Sequence, residues 1–180
     1  TYYLCKKIKE KINKKDLSIK DFLYVKKNLK KKKYITLSFG GKNPLKKWKF
    51  ENWKNLVKKL ISIYPNLEII IVGSKYEYLD AEKIRYLKKS KIFNLCGKTS
   101  IKNLVNVIGN SNYHISHDDG TMHIASTFYK KGIAIFGKST AKKGRWFPKN
   151  PNLKIFYENY VNDIDLNLVI KKIIYDIKNF

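Results

Sequence analysis

From Tyr34 onward the chain alternates between two kinds of segment, and no other feature constrains its fold as much. Short uninterrupted apolar runs, such as 34–39 (YITLSF), 68–72 (EIIIV) and 132–136 (GIAIF), are separated by longer stretches. In those stretches apolar residues recur every three or four positions, the mark of amphipathic helices. Continuous apolar runs suit strands buried on both faces of a parallel sheet. Strands are expected at 34–39, 68–72, 92–95, 113–116, 132–136 and 153–157. Helices are expected near 50–63, 78–88, 101–109, 121–128 and 164–178, the last capped by Asp163. Phe50, Trp53, Leu56, Val57, Leu60 and Ile61 form the inward stripe of the first helix, and Leu79, Ile84 and Leu87 that of the second. Such alternation predicts βαβ units: an α/β fold with a Rossmann-like parallel sheet flanked by helices. Residues 34–180 would form this domain. Residues 1–33 are lysine-rich, with a possible capping box at Ser18 and Asp21, and read as a helical lead-in or linker.

Charge narrows the partners. Lys and Arg number 39 against 14 Asp and Glu, a net +25. An excess this large raises nucleic acid or an anionic membrane as partners. Only Arg85 and Arg145 are arginines, although Arg is the better tool for bidentate phosphate and base contacts. The lysines are spread over every segment rather than gathered in one stripe. Both facts argue against nucleic acid and leave a weak, additive attraction to an anionic surface. No apolar run approaches the roughly 20 residues needed to span a bilayer, and no secretory signal pattern is present. A cytoplasmic protein, at most peripheral to the inner membrane, is expected. Cys5 and Cys96 lack metal-ligand or CxxC spacing and read as free thiols. The chain starts at Thr1 without a methionine, as expected of a piece cut from something longer.

Chemistry concentrates at 111–126 (SNYHISHDDGTMHIAS), which reads as a strand, an acidic Gly turn and a helix start. It contains His114, His117 and His123 with Asp118 and Asp119. In an open parallel sheet ligands bind where strands end and helices begin, and free N–H groups at a helix start attract anions. Gly40, Gly41, Gly73, Gly97, Gly120 and Gly137 all fall in post-strand loops, which share one edge of such a sheet. That edge would gather Lys46, Lys47, Glu77, Thr99, Asp118, Asp119, Thr121 and His123. Lysines and helix starts suit a diphosphate, and a carboxylate such as Glu77 suits ribose hydroxyls. GxxxxGK[ST], GxGxxG and GxSxG motifs are absent. Plainer roles compete. One of Asp118 and Asp119 has an even claim to be only a helix cap, the lysines could be solvated, and Trp48 and Trp53 suit the core. A metal shared by the histidines is disfavoured, because His114 and His117 point to opposite faces of a strand.

Several of these pieces, in order, resemble the C-terminal domain of the ADP-heptose:lipopolysaccharide heptosyltransferases, glycosyltransferase family 9. They are Lys46-Lys47-Trp48; Val72-Gly73-Ser74-Lys75-Tyr76-Glu77; Leu95-Cys96-Gly97-Lys98-Thr99-Ser100; His117-Asp118-Asp119-Gly120-Thr121-Met122-His123-Ile124-Ala125; and Phe136-Gly137 followed by Trp146 and Pro148. Together they span 34–148. The resemblance implies the C-terminal half of a GT-B enzyme, holding a nucleotide-sugar donor such as ADP-heptose without a metal or other cofactor. It implies Lys46, with Lys47, at the phosphates, where Lys46 would stabilise the leaving diphosphate. Glu77 would meet the ribose, and the backbone around Thr99 the adenine. Asp118, Asp119, Gly120, Thr121 and Met122 would hold sugar and diphosphate, with His123 nearby. The acceptor would be the lipopolysaccharide core or another glycan. Two departures stand out. Asp119 occupies a position where the family usually has Ser or Thr; a carboxylate cannot donate to phosphate and is expected to meet sugar hydroxyls instead. The family's N-terminal acceptor domain, which carries the proposed base, is absent, so this chain is expected to bind donor without turning it over alone. The alternatives are a non-catalytic basic module for nucleic acid or an anionic membrane, and a stand-alone nucleotide-binding regulator.

Overall fold

In the computed structural model the described residues are 33–41, 43–138 and 146–178. Cys5, the Ser18/Asp21 pattern and Arg145 lie outside them. Among the described residues six strands form one sheet: β1 (Tyr34–Ser38), β2 (Glu68–Ile71), β3 (Ile92–Asn94), β4 (Tyr113–His117), β5 (Lys131–Gly137) and β6 (Leu153–Glu158). Their order is β3-β2-β1-β4-β5-β6, and every neighbouring pair is parallel. The expected α/β architecture is therefore present. Chain order reverses between β1 and β4, which makes the crevice beyond their C-terminal ends the topological switch point.

Helices α1 (Phe50–Ile63), α2 (Tyr78–Arg85) and α5 (Leu166–Lys178) cover one face. Trp53, Leu56, Val57 and Leu60 of α1 and Val169, Ile170 and Ile173 of α5 pack there on Ile35, Leu37, Ile69, Ile71, Ile115 and Ile133. Helices α3 (Ile101–Asn110) and α4 (Gly120–Thr127) cover the other face, with Val105, Ile108, Ile124 and Ala125 against Tyr34, Ile70 and Val72. Alternate strand residues thus feed opposite faces. Each buried Leu or Ile contributes roughly 1.5–3 kcal/mol. Gly132 lets β5 run close to β4: a Cβ there would lie 2.0 Å from the His114 carbonyl oxygen.

Two local expectations change. Leu79 is 73% exposed, and Ala81 with Ile84 forms the inward face of α2. The short helix has room for one buried stripe, and Ala81 allows the closer approach. Helix α5 begins at Leu166, after a 3-10 turn at Val161–Asp163. The Asp163 carboxylate accepts from the Tyr160 N–H inside that turn, while Asp165 accepts from the Asn167 N–H (2.6 Å) at the start of α5.

Candidate functional site at the switch point

Ser38 and Ser116 are register partners at the ends of β1 and β4, so the loops leaving these strands start side by side. The loop after β1 contains a 3-10 turn, Pro44–Lys46. The Asn43 side chain caps it by accepting from the Leu45 N–H (3.0 Å), and Pro44 supplies the fixed φ of its first residue. This turn aims Lys46 at Asp118, whose carboxylate it meets at 2.5 Å. The Asp118 side chain is 8% exposed and Lys46 28%, so the carboxylate is shielded from bulk water while the lysine stays partly exposed.

His117 holds both ends of the same loop. Its Nε2 accepts from the Trp48 N–H (2.9 Å), which leaves Nδ1–H to face the Gly40 carbonyl at 3.5 Å. Its ring meets Trp53 edge-on at 4.8 Å. Burial pushes its pKa down to about 3, with Lys47 adding to the effect, so the imidazole is neutral at pH 7.

Glu77 lies beneath the neighbouring loop. It closes a capping box with Ser74, accepting from the Ser74 N–H (2.9 Å) and hydroxyl (2.5 Å). Gly40 and Gly73 give it space: a Cβ on Gly40 would stand 2.7 Å from its Cδ, and one on Gly73 3.3 Å from Oε2. Gly97, at φ +69°, backs onto the Cα of Lys75 and donates to the Gly73 carbonyl (3.0 Å). Thr99 follows in the half-exposed turn before α3, which Ser100 caps. The loops after β3, β2, β1 and β4 therefore touch in sequence, and Thr99, Glu77, Lys46 and Asp118 line one edge.

In the turn after β4, Asp119 takes the helix-capping role that the sequence left open between it and Asp118. The side chains of Asp119, Thr121 and Met122, each assigned to substrate, are engaged inside the fold. Asp119 caps α4: Oδ1 accepts from the Thr121 N–H (2.8 Å), the Met122 N–H (3.0 Å) and the Thr121 hydroxyl (2.6 Å), and Oδ2 from the Ser38 hydroxyl (2.8 Å). Burial raises the Asp119 pKa, and these four donors pull against that rise. Thr121 Oγ1 is 3.1 Å from His114 Nε2, and His114 Nδ1 is 2.8 Å from the Thr36 hydroxyl. Met122 packs with Ala134, Phe136 and Leu153. Gly120 remains exposed, with nothing within 4 Å of where a Cβ would stand. His123 is half-buried, and burial lowers its pKa against the pull of Asp118. Lys47 is also half-buried. His114 and His117 do reach opposite faces, one toward α4 and one toward α1. Among the described residues no three His, Cys, Asp or Glu side chains gather as a metal site.

A family model described as glycosyltransferase family 9 (heptosyltransferase) matches residues 5–169. The chain belongs to this family. A curated lipooligosaccharide heptosyltransferase 2 from Campylobacter jejuni is 31% identical to the family 9 chain over 125 residues, 67% of this chain and 37% of that protein. The solved E. coli ADP-heptose lps heptosyltransferase II aligns at a TM-score of 0.74 and 18% identity, over 91% of this chain and 53% of its own. An E. coli heptosyltransferase solved with ADP aligns at 0.71 and 18% identity, over 86% of this chain and 48% of its own. These structures share the fold. The family 9 chain spans about a third of the length of the curated heptosyltransferases it matches, and about half that of these two solved ones.

Sequence reasoning missed three parts of the site. Ser38 and His117 act across 81 and 69 residues of chain, and nothing local signals their partners. The Ser74–Glu77 box was legible, since Ser followed three residues later by Glu is the capping-box pattern.

Proposed function

We propose that this domain binds a nucleotide-sugar donor and forms the donor half of an inverting glycosyltransferase that builds lipopolysaccharide or another surface glycan. One observation carries the reading: at the switch point, the ion-paired Lys46 and Asp118 share an edge with Glu77 and Thr99, joined through His117, Gly40 and Gly73. Family membership supports the same class of reaction. In the complete enzyme an acceptor hydroxyl, deprotonated by a base on a second domain, attacks the anomeric carbon. The carbon–oxygen bond to the diphosphate breaks, and the nucleoside diphosphate departs. Lys46, with Lys47, offsets the charge that develops on that leaving group, so no metal is required. Glu77 has Oε2 committed to Ser74, which leaves Oε1 for a ribose hydroxyl. The backbone near Thr99 borders the base, and Asp118 faces the sugar. The basic surface adds a weak attraction to an anionic membrane, where a lipid-linked glycan acceptor would lie.

Calorimetric titration with ADP, ADP-heptose, UDP and GDP tests the reading. Binding of one nucleotide family, weakened by Lys46→Ala, is expected. No binding of any of them at millimolar concentration overturns it.

A further inference from the structure

The start of α4 holds an anion supplied by the chain itself. Free amides in a first turn are a ready place for phosphate. Here the Thr121 and Met122 N–H groups both donate to Asp119 Oδ1, joined by the Thr121 hydroxyl, and Ser38 holds the other oxygen. Burial raises the Asp119 pKa, and the four donors oppose that rise by favouring the ionised carboxylate. A phosphate oxygen cannot use those amides without displacing it. Lys46 pairs with Asp118, while the partners of Asp119 are uncharged amides and hydroxyls. Burial lowers the pKa of His123 against the pull of Asp118, which disfavours a positive charge there. Gly120, exposed and unobstructed, leaves the approach to this corner open.

We infer that Asp119 is a specificity-determining residue that disfavours a free nucleoside diphosphate relative to a sugar-linked one. The inference rests on the donor-binding reading above. A sugar-linked diphosphate has its terminal phosphate esterified. Once the sugar has left, that phosphate gains a second ionisable oxygen, with a pKa near 6, and hence more negative charge at pH 7. A fixed carboxylate at the mouth of α4 repels the product more than the substrate and helps empty the site after transfer. A hydroxyl at this position would cap the same amides without carrying a charge, and this bias would be absent.

The test is calorimetry on the 180-residue chain with ADP, ADP-heptose and adenosine, comparing wild type with Asp119→Asn and Asp119→Thr. Asn keeps the capping oxygen and loses the charge; Thr keeps a capping hydroxyl and serves if Asn fails to fold. Removing one unit charge a few ångströms from the phosphates should tighten ADP about tenfold or more. ADP-heptose should gain less, adenosine should not change, and added salt should shrink the differences. ADP binding that is unchanged or weaker, or an equal change for all three ligands, overturns the role of Asp119. Should neither wild type nor variants bind any of the three, the donor-binding reading itself fails. Wild type binding ADP without a gain in either variant removes only the inference about Asp119.

Discussion

Moving this protein from pH 7 to pH 5 should destabilise the fold by about 4 kcal/mol, through two buried histidines. Burial pushes His114 and His117 down to about 3 from the ordinary 6.5. His114 is held between the Thr36 and Thr121 hydroxyls. Protonating His117 would set an Nε2–H against the Trp48 N–H, 2.9 Å away. Both rings stay neutral in the fold at pH 5, while the unfolded chain charges them below about 6.5. Unfolding then takes up protons, so their stabilisation is fully present above pH 6.5 and is lost as pH falls toward 3. At pH 5 each histidine accounts for about 2 kcal/mol of that loss. The assay is urea unfolding at pH 7, 6 and 5 for wild type and His117→Asn. Asn does not titrate, so the variant should lose about 2 kcal/mol less than wild type over this interval. The difference isolates one histidine, because Asp119, His123 and every other titrating group are common to both proteins. Identical pH dependence in the two would refute the argument that His117 is held neutral by burial.

Three more perturbations follow from the geometry. Lys46→Ala should weaken ADP about tenfold or more and leave adenosine unchanged, since it removes a charged donor and strands Asp118; titration of both ligands reads this directly. His117→Phe keeps a ring against Trp53 but leaves the buried Trp48 N–H without an acceptor, a cost of about 1–3 kcal/mol in denaturant unfolding. Gly132→Ala places a Cβ 2.0 Å from the His114 carbonyl and must push β4 and β5 apart. A loss of about 3 kcal/mol or more, read by thermal melting, is expected, and a variant as stable as wild type would contradict the strand spacing.

The elements were legible because each follows from a local pattern. Apolar runs became β1 to β6, and the stripe Trp53, Leu56, Val57, Leu60 became the buried side of α1. The helix end was misread at Asp163 because two carboxylates, Asp163 and Asp165, stand close together and either can cap. Leu79 was misjudged because hydrophobicity alone could not tell which face of a two-turn helix meets the sheet. The lysine and carboxylates of the site stood out by residue type and by their place after strands. Their division of labour did not: Asp118 and Asp119 are neighbours of identical chemistry, yet one pairs with Lys46 and the other caps a helix.

Sequence alone determined the parallel sheet, its helical layers and the edge that gathers the loops after the strands, since periodicity and loop position depend only on residues close together in the chain. Tertiary structure decided which polar groups remain available there. Ser38 takes one oxygen of Asp119, His117 takes the amide of Trp48, and Glu77 tucks beneath Gly40. Each pairing joins residues 37 or more positions apart, and a short-range interaction of that kind exists only once the strands have set their register.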